Sequence, residues 1–220
     1  MMPVVYRRFC ALATTPRPGI FLDRDGVIVE EVRYLHRPSD IRYIAGALTA
    51  IASTYAMGIP AVVVTNQSGI GRGFYGWKDF AAVQKQIDAD LAGCGGQFDG
   101  VWACAAHPSG IREYAHPSHP FRKPEPGMIL DAARCLRLDL ERSWLVGDKP
   151  CDIEAGLRAQ LAGICLVATG YGAAMRLEVE GLLRQYGSSC EFFPCDSLPD
   201  AIHHILAKIG QETECLTGKF

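Results

Sequence analysis

The chain has 220 residues, 49% of them apolar, with 22 basic against 24 acidic side chains and a formal charge of −2. That is enough for one substantial core and too little for two average domains, and the apolar fraction excludes wholesale disorder. The Lys and Arg residues are scattered and form no basic stripe of the kind a nucleic-acid binder needs, so nucleic acid is not an expected partner.

The opening "MMPVVYRRFCALATTPRPG" lacks the sustained apolar region of a secretory signal. No later stretch is long and apolar enough to span a bilayer, so no membrane association is expected. Nine cysteines, an odd number, lack small-domain disulfide spacing, and several fall in apolar periodic segments where a free Cys behaves as a small hydrophobe. The expectation is a reducing cytoplasm.

In chain order, "GIFLD" (19–23) reads as a strand, and "GALTAIASTYAMG" (46–58) as a helix with Leu48, Ile51 and Tyr55 on one face, stopping at Gly58. "PAVVVTN" (60–66) is a second, β-branched strand. A helix starting near Trp77 carries Phe80, Val83, Ile87 and Leu91 on one stripe, and "FDGVWACAA" (98–106) supplies another strand. Residues 105–122 contain three His-Pro steps and no periodicity, which reads as a long loop insertion.

Pro126 suits the first turn of a helix through "GMILDAARCLRL". The strand "SWLVGD", the helix "IEAGLRAQLAG" and the strand "ICLVATG" follow, and "MRLEVEGLLRQYG", "CEFFP" and "LPDAIHHILAKIG" continue the alternation. Strand runs that are apolar throughout are those covered on both faces. The expected fold is α/β, a Rossmann-like, doubly wound and mostly parallel sheet. One domain would span 19–212, after an N-terminal extension (1–18) and before a short tail (213–220).

Polar clusters stand where strands should end: Asp23/Asp25, Thr65/Asn66, Arg122/Lys123, and Asp148/Lys149 with Asp152. In such sheets the carboxyl ends of the strands share one rim, so residues far apart in sequence would meet there. Carboxylates can share Mg²⁺, a hard cation that prefers oxygen ligands, while Lys123 and the Thr65 hydroxyl can meet phosphate oxygens. A metal and a Lys neutralise charge on a transferring phosphoryl group. Asp23 could then attack phosphorus, and Asp25 could protonate the leaving oxygen and later take a proton from water. Gly26 would let the chain turn tightly beside them. Taken singly, Asp25-Gly26 and Thr65/Asn66 read equally as turns, Arg122/Lys123 as a solvated pair, and Asp148 or Asp152 as helix caps. Their recurrence at strand exits favours catalysis.

The segments "FLDRDGVI", "VVVTNQSGIGRG", "RKPEPGM" and "VGDKPCDI" occur in this order between Gly19 and Gly172. Together they resemble the haloacid-dehalogenase-like (HAD-like) phosphatase superfamily, in the group that contains D-glycero-D-manno-heptose 1,7-bisphosphate phosphatase and histidinol-phosphatase. The resemblance implies a HAD-like fold with a minimal cap. It assigns Asp23 as the phosphorylated nucleophile, Asp25 as acid/base, Thr65 as a phosphoryl-binding group and Lys123 as its charge partner. Mg²⁺ would be held by the Asp23 carboxylate, the Asp25 carbonyl and Asp148, with Asp152 in support. Glu31, Val32, Arg33, Tyr34, Asn66, Gln67, Ser68, Arg122 and Lys149 would line the substrate pocket.

The family's heptose phosphatases also hold a structural zinc with a Cys-x-His and a Cys-x-Cys. Here Cys104 remains, but Ala106, His119 and Phe121 take the other three places. Cys104, His107, His116 and His119 form an alternative C-x2-H-x8-H-x2-H set of zinc-compatible ligands. The leading expectation is still Mg²⁺ for turnover and a loop without zinc. The expected activity is hydrolysis of a small phosphorylated metabolite, first choice a heptose or related sugar bisphosphate. Histidinol phosphate, a nucleotide, or a non-catalytic binding role are the alternatives.

Overall fold

A computed structural model describes residues 5–9, 15–187 and 190–217. Seven strands form one sheet: β1 (Val5–Phe9), β2 (Ile20–Leu22), β3 (Ala61–Asn66), β4 (Gly100–Cys104), β5 (Trp144–Gly147), β6 (Gly163–Val167) and β7 (Glu191–Cys195). Their spatial order is β1-β4-β3-β2-β5-β6-β7, with β1 antiparallel and every other pairing parallel. The chain starts the parallel sheet at β2, builds outward through β3 and β4, then returns to the other side of β2 for β5, β6 and β7. The direction of winding reverses at β2, where such sheets open a crevice.

Alternation along the strands sends side chains to two separate cores. Ile20 and Leu22 face one core with helices α1 (Ala47–Ala56), α3 (Trp77–Gly93) and α7 (Leu198–Thr217). Phe21 faces the other with α4 (Gly127–Leu136), α5 (Pro150–Arg158) and α6 (Gly172–Tyr186). β2, β3, β4, β5 and β6 are apolar throughout, apart from the polar residues that end β3, because helices cover both faces. A one-turn helix, α2 (Ser68–Gly71), follows β3.

Several local expectations change. In α1 the buried positions are Ala47, Ile51 and Thr54, and Tyr55 is exposed. The inward face is rotated by one residue because the Thr54 hydroxyl is satisfied by the Ile51 carbonyl at 2.8 Å and can be buried. Pro126 is the residue before α4, and Pro150 opens α5 three residues ahead of Ile153. The early start follows from Asp152, whose carboxylate accepts the Lys149 amide at 3.0 Å and so satisfies a free helix-end donor.

β1 lies inside the segment expected as an extension. Its Tyr6 packs on Trp77 and Phe80 at ring separations of 5.9 and 5.3 Å. α7 continues through Thr217, past the boundary expected at 212. The 105–122 loop holds one short 3-10 helix, Arg112–Tyr114, and is pinned where the His107 amide donates to Tyr114 O and the His116 amide to His107 O.

Candidate active site

The ends of β2, β3 and β5 stand side by side. The Asp23 amide donates to Val146 O at 3.0 Å, which levels Asp23 with the end of β5. A cavity of about 440 Å³ opens above this rim. It is lined by Asp23, Asp25, Glu31, Arg33, Tyr34, Thr65, Asn66, Gln67, Ser68, Gly69, Tyr75, Arg122, Lys123, Lys149, Cys151, Asp152 and Tyr171. Glu31, Arg33 and Tyr34 wall it on one side, Gln67, Ser68, Gly69 and Tyr75 on another, and Arg122 stands at the end of the 105–122 loop.

At its floor Lys123 is 2% exposed. Its Nζ donates to Asp23 Oδ1 at 3.0 Å and to Val64 O at 2.7 Å, and pairs with Asp152 Oδ1 at 2.7 Å. Burial alone would lower the Lys123 pKa, but Asp152 and Asp23 raise it, so the amine stays charged. Burial pushes the Asp23 carboxyl up, yet the Lys123 and Lys149 charges outweigh it and hold the group below its ordinary value. Asp23 is therefore an anion facing the cavity, the state a carboxylate nucleophile needs.

The charge balance fails at Asp148. Burial, and then the negative charges of Asp23 and Asp152, push its carboxyl up to about 7. Carboxylate oxygens of Asp23, Asp148 and Asp152 lie within 4.8 Å of one another. Three buried acids on this scale are the oxygen-rich, negative environment a hard divalent cation requires. Gly26 and Gly170 border the same place with φ of +93° and +60°, and a Cβ on either would come within 2.3 Å of Asp148 Oδ2. The backbone is pressed against the carboxylate as closely as glycine permits.

A HAD-hydrolase-like family model matches residues 120–182. The D-glycero-beta-D-manno-heptose-1,7-bisphosphate 7-phosphatase of Mesorhizobium japonicum is 50% identical over 66% of this chain and 67% of its own length. The enzyme of that name from Vibrio cholerae is 36% identical over 86% of this chain and 97% of its own. The chain belongs to the HAD-like hydrolases, in their heptose-bisphosphate phosphatase group. A solved D,D-heptose 1,7-bisphosphate phosphatase from B. bronchiseptica, complexed with magnesium and phosphate, superposes with a TM-score of 0.73 at 30% identity. It covers 87% of this chain and 99% of that one.

With the carboxylate trio fitting a hard cation, the protein is a Mg²⁺-dependent phosphatase. Among the described residues the trio is the one set of three or more His, Cys, Asp or Glu ligands gathered so closely. Cys104, His107, His116 and His119 form no such set. Cys104 Sγ lies 3.7 Å from His119 Nδ1, that nitrogen also accepts the Phe121 amide at 3.1 Å, and His107 Nδ1 accepts the Ser109 amide at 3.0 Å.

The cavity brings together every residue expected to line it except Val32, which is 39% exposed and lies on a neighbouring surface depression with His36 and Arg42. Arg33 and Tyr34 have φ of 47° and 61°, and this left-handed turn carries Val32 away from the cavity while Glu31 stays in it. Glu31 meets Lys149 Nζ at 3.3 Å, and Lys149 sits 4.8 Å above the Tyr171 ring. Asn66 lines the cavity but spends both polar atoms on the Lys123 backbone. Asp152 stands in the trio, pairs with Lys123 and caps α5.

Gly69, Tyr75, Cys151 and Tyr171 line the cavity without having been expected there, and Arg24, buried behind Asp25, was not expected beside it. Arg24 stands between the two key aspartates, but arginine is rarely buried and nothing in its neighbours signals that it turns inward. Tyr75 reaches the Gln67 amide oxygen at 2.6 Å from the turn after α2, a contact with no sequence periodicity to reveal it.

Proposed function

We propose that the protein removes one phosphate from a sugar bisphosphate of the D-glycero-D-manno-heptose 1,7-bisphosphate kind. Asp23 is the nucleophile, Asp25 the acid/base, and Thr65 and Lys123 the holders of the phosphoryl group. The observation that carries this reading is the pairing of Asp23 with buried Lys123 at 3.0 Å on the floor of the cavity. In the first step an Asp23 oxygen bonds to phosphorus as the bond to the leaving oxygen breaks, and the Asp25 carboxyl gives that oxygen its proton. In the second step a water oxygen bonds to phosphorus, Asp25 takes the water's proton, and Asp23 is released with inorganic phosphate.

Lys123 keeps its charge throughout and offsets the negative charge that develops on the phosphoryl oxygens. Asp23, Asp148 and the Asp25 carbonyl would hold Mg²⁺, which supplies further charge neutralisation on the phosphoryl group. The heptose choice draws on the printed activity of the relatives. It also draws on the cations that line the cavity beyond Lys123, namely Arg33, Arg122 and Lys149, which suit a second phosphate.

No helix among the described residues is long and apolar enough to cross a membrane. The cytoplasm is the proposed location, in keeping with the free thiols of the seven described cysteines.

The test is phosphate release from a panel containing heptose bisphosphate, histidinol phosphate and nucleotides, with Mg²⁺. The expected result is the highest kcat/KM on heptose bisphosphate and loss of turnover in Asp23→Asn. A preference for histidinol phosphate would overturn the substrate, and tight binding without phosphate release would overturn the activity.

A further inference from the structure

Arg24 is 0% exposed and among the largest fully buried side chains of the molecule. A buried arginine requires a partner, because an unpaired charge away from water costs several kcal/mol. Its partner is Asp25: Nε donates to Oδ1 at 3.1 Å and Nη2 to Oδ2 at 3.0 Å, a two-point fork. The guanidinium lies against the Phe80 ring at 5.2 Å, which fixes its plane from behind.

A second layer fixes the same carboxylate. Gln67, 2% exposed, donates Nε2 to Asp25 Oδ2 at 3.0 Å and to Thr65 Oγ1 at 2.9 Å. Its Oε1 accepts Arg24 Nη2 at 3.3 Å and the Tyr75 hydroxyl at 2.6 Å. Both oxygens of Asp25 are held by groups that cannot rotate independently, and the amide that holds Asp25 also holds Thr65.

We infer that Arg24 is a positioning residue of the hydrolytic reaction: with Gln67 and Tyr75 behind it, it fixes the Asp25 carboxyl where one group can serve both the leaving oxygen and the incoming water. The inference rests on Asp25 being the acid/base of the proposed reaction. Serving both steps requires a carboxyl whose place is set by the protein, because displacement by an ångström costs about a hundredfold in rate. A strand-end aspartate with no fork would share its time among rotamers.

Proton transfer separates positioning from mere packing. A sugar leaves as an alkoxide and needs the Asp25 proton, whereas a dinitrophenolate leaves without one. The second step needs a base for either substrate. A displaced Asp25 therefore slows the first step for the sugar phosphate alone and the second step for both.

The experiment compares wild type, Arg24→Met, Tyr75→Phe and Asp25→Asn in Mg²⁺, with heptose bisphosphate and dinitrophenyl phosphate. In Arg24→Met, kcat on heptose bisphosphate falls about a hundredfold while KM stays nearly constant. With dinitrophenyl phosphate the first turnover keeps the wild-type rate and only the steady state slows, so a burst appears. If Arg24→Met does not fold, Tyr75→Phe shows the same pattern at about fivefold, the equivalent of one hydrogen bond. Equal losses in first-turnover and steady-state rates, or wild-type kinetics in the variants that fold, would overturn the inference. Should Asp25→Asn keep its turnover of heptose bisphosphate, the acid/base reading itself fails. If Asp25→Asn is inactive while the folded Arg24 and Tyr75 variants match wild type, the positioning role alone fails.

Discussion

Asn66 and Lys123 exchange two hydrogen bonds: Asn66 Nδ2 donates to Lys123 O at 2.9 Å, and the Lys123 amide donates to Asn66 Oδ1 at 3.1 Å. The end of β3 therefore clamps the backbone of the residue that pairs with the nucleophile. Asn66→Ala frees that backbone and leaves a carbonyl and an amide without partners. The expected result is a kcat lower by about tenfold to a hundredfold, with the fold retained by circular dichroism. Unchanged kinetics would show that the rest of the loop suffices to place Lys123.

Gly170 tests the carboxylate trio. An alanine there would press its Cβ to 2.2 Å from Asp148 Oδ2, at a φ of +60° that side chains rarely adopt. Asp148 must move, and the Mg²⁺ concentration for half-maximal activity rises by about tenfold to a hundredfold, as when a group that orients a metal ligand is changed. Titration of activity against Mg²⁺ measures this. A normal Mg²⁺ requirement in Gly170→Ala would argue that Asp148 does not serve the metal.

Asp131 joins β1 to the body of the sheet. It accepts Trp102 Nε1 at 2.9 Å, Arg7 at 3.0 Å and Arg134 at 2.8 Å. Burial pushes its carboxyl up, but these donors outweigh burial and hold it below its ordinary 3.8. A carboxyl depressed in the folded state stabilises above its unfolded pKa, and that contribution is lost as pH falls through the lower folded value. Asp131→Asn should therefore melt earlier than wild type at pH 7, and the difference should shrink below about pH 4. Thermal melts across pH 2.5 to 7, spanning this range, check it. A difference that grows toward acid would reverse the sign of the linkage.

The fold was largely legible because most of its elements are apolar runs of β-branched residues or stripes at helical spacing. Phe80, Val83, Ile87 and Leu91 all point inward from α3. β1 was not legible: a strand of five residues with two arginines has no periodicity of its own and acquires its place only by pairing with β4. The charged members of the site could be read as strand-end residues because the strands bring them to one rim. The placement of Arg24, Gln67 and Tyr75 depends on which way side chains turn after the strand ends, and only tertiary contacts such as that of Arg24 with Phe80 and of Tyr75 with Gln67 decide it. Asp152 was legible as a cap, and its added pairing with Lys123 comes from the approach of α5 to the 122–124 segment.

The 105–122 loop is held by protein groups. Arg122 Nη1 donates to Ala106 O at 2.7 Å, and Arg7 lies 5.5 Å from the Phe121 ring. Metal analysis of untagged protein is expected to give Mg²⁺-dependent turnover without one zinc per chain. Stoichiometric zinc, lost in His119→Ala, would contradict that expectation and point to Cys104, His107, His116 and His119.

In the proposed reaction Asp23 carries the phosphoryl group between the two steps. Acid quenching within a single turnover, followed by digestion and mass spectrometry, measures it directly. The expected result is a phosphoryl adduct on the peptide that contains Asp23, formed and lost at the turnover rate and absent from Asp23→Asn, which releases no phosphate. Phosphate release at the wild-type rate by Asp23→Asn, with no adduct on that peptide, would show that Asp23 is not the nucleophile.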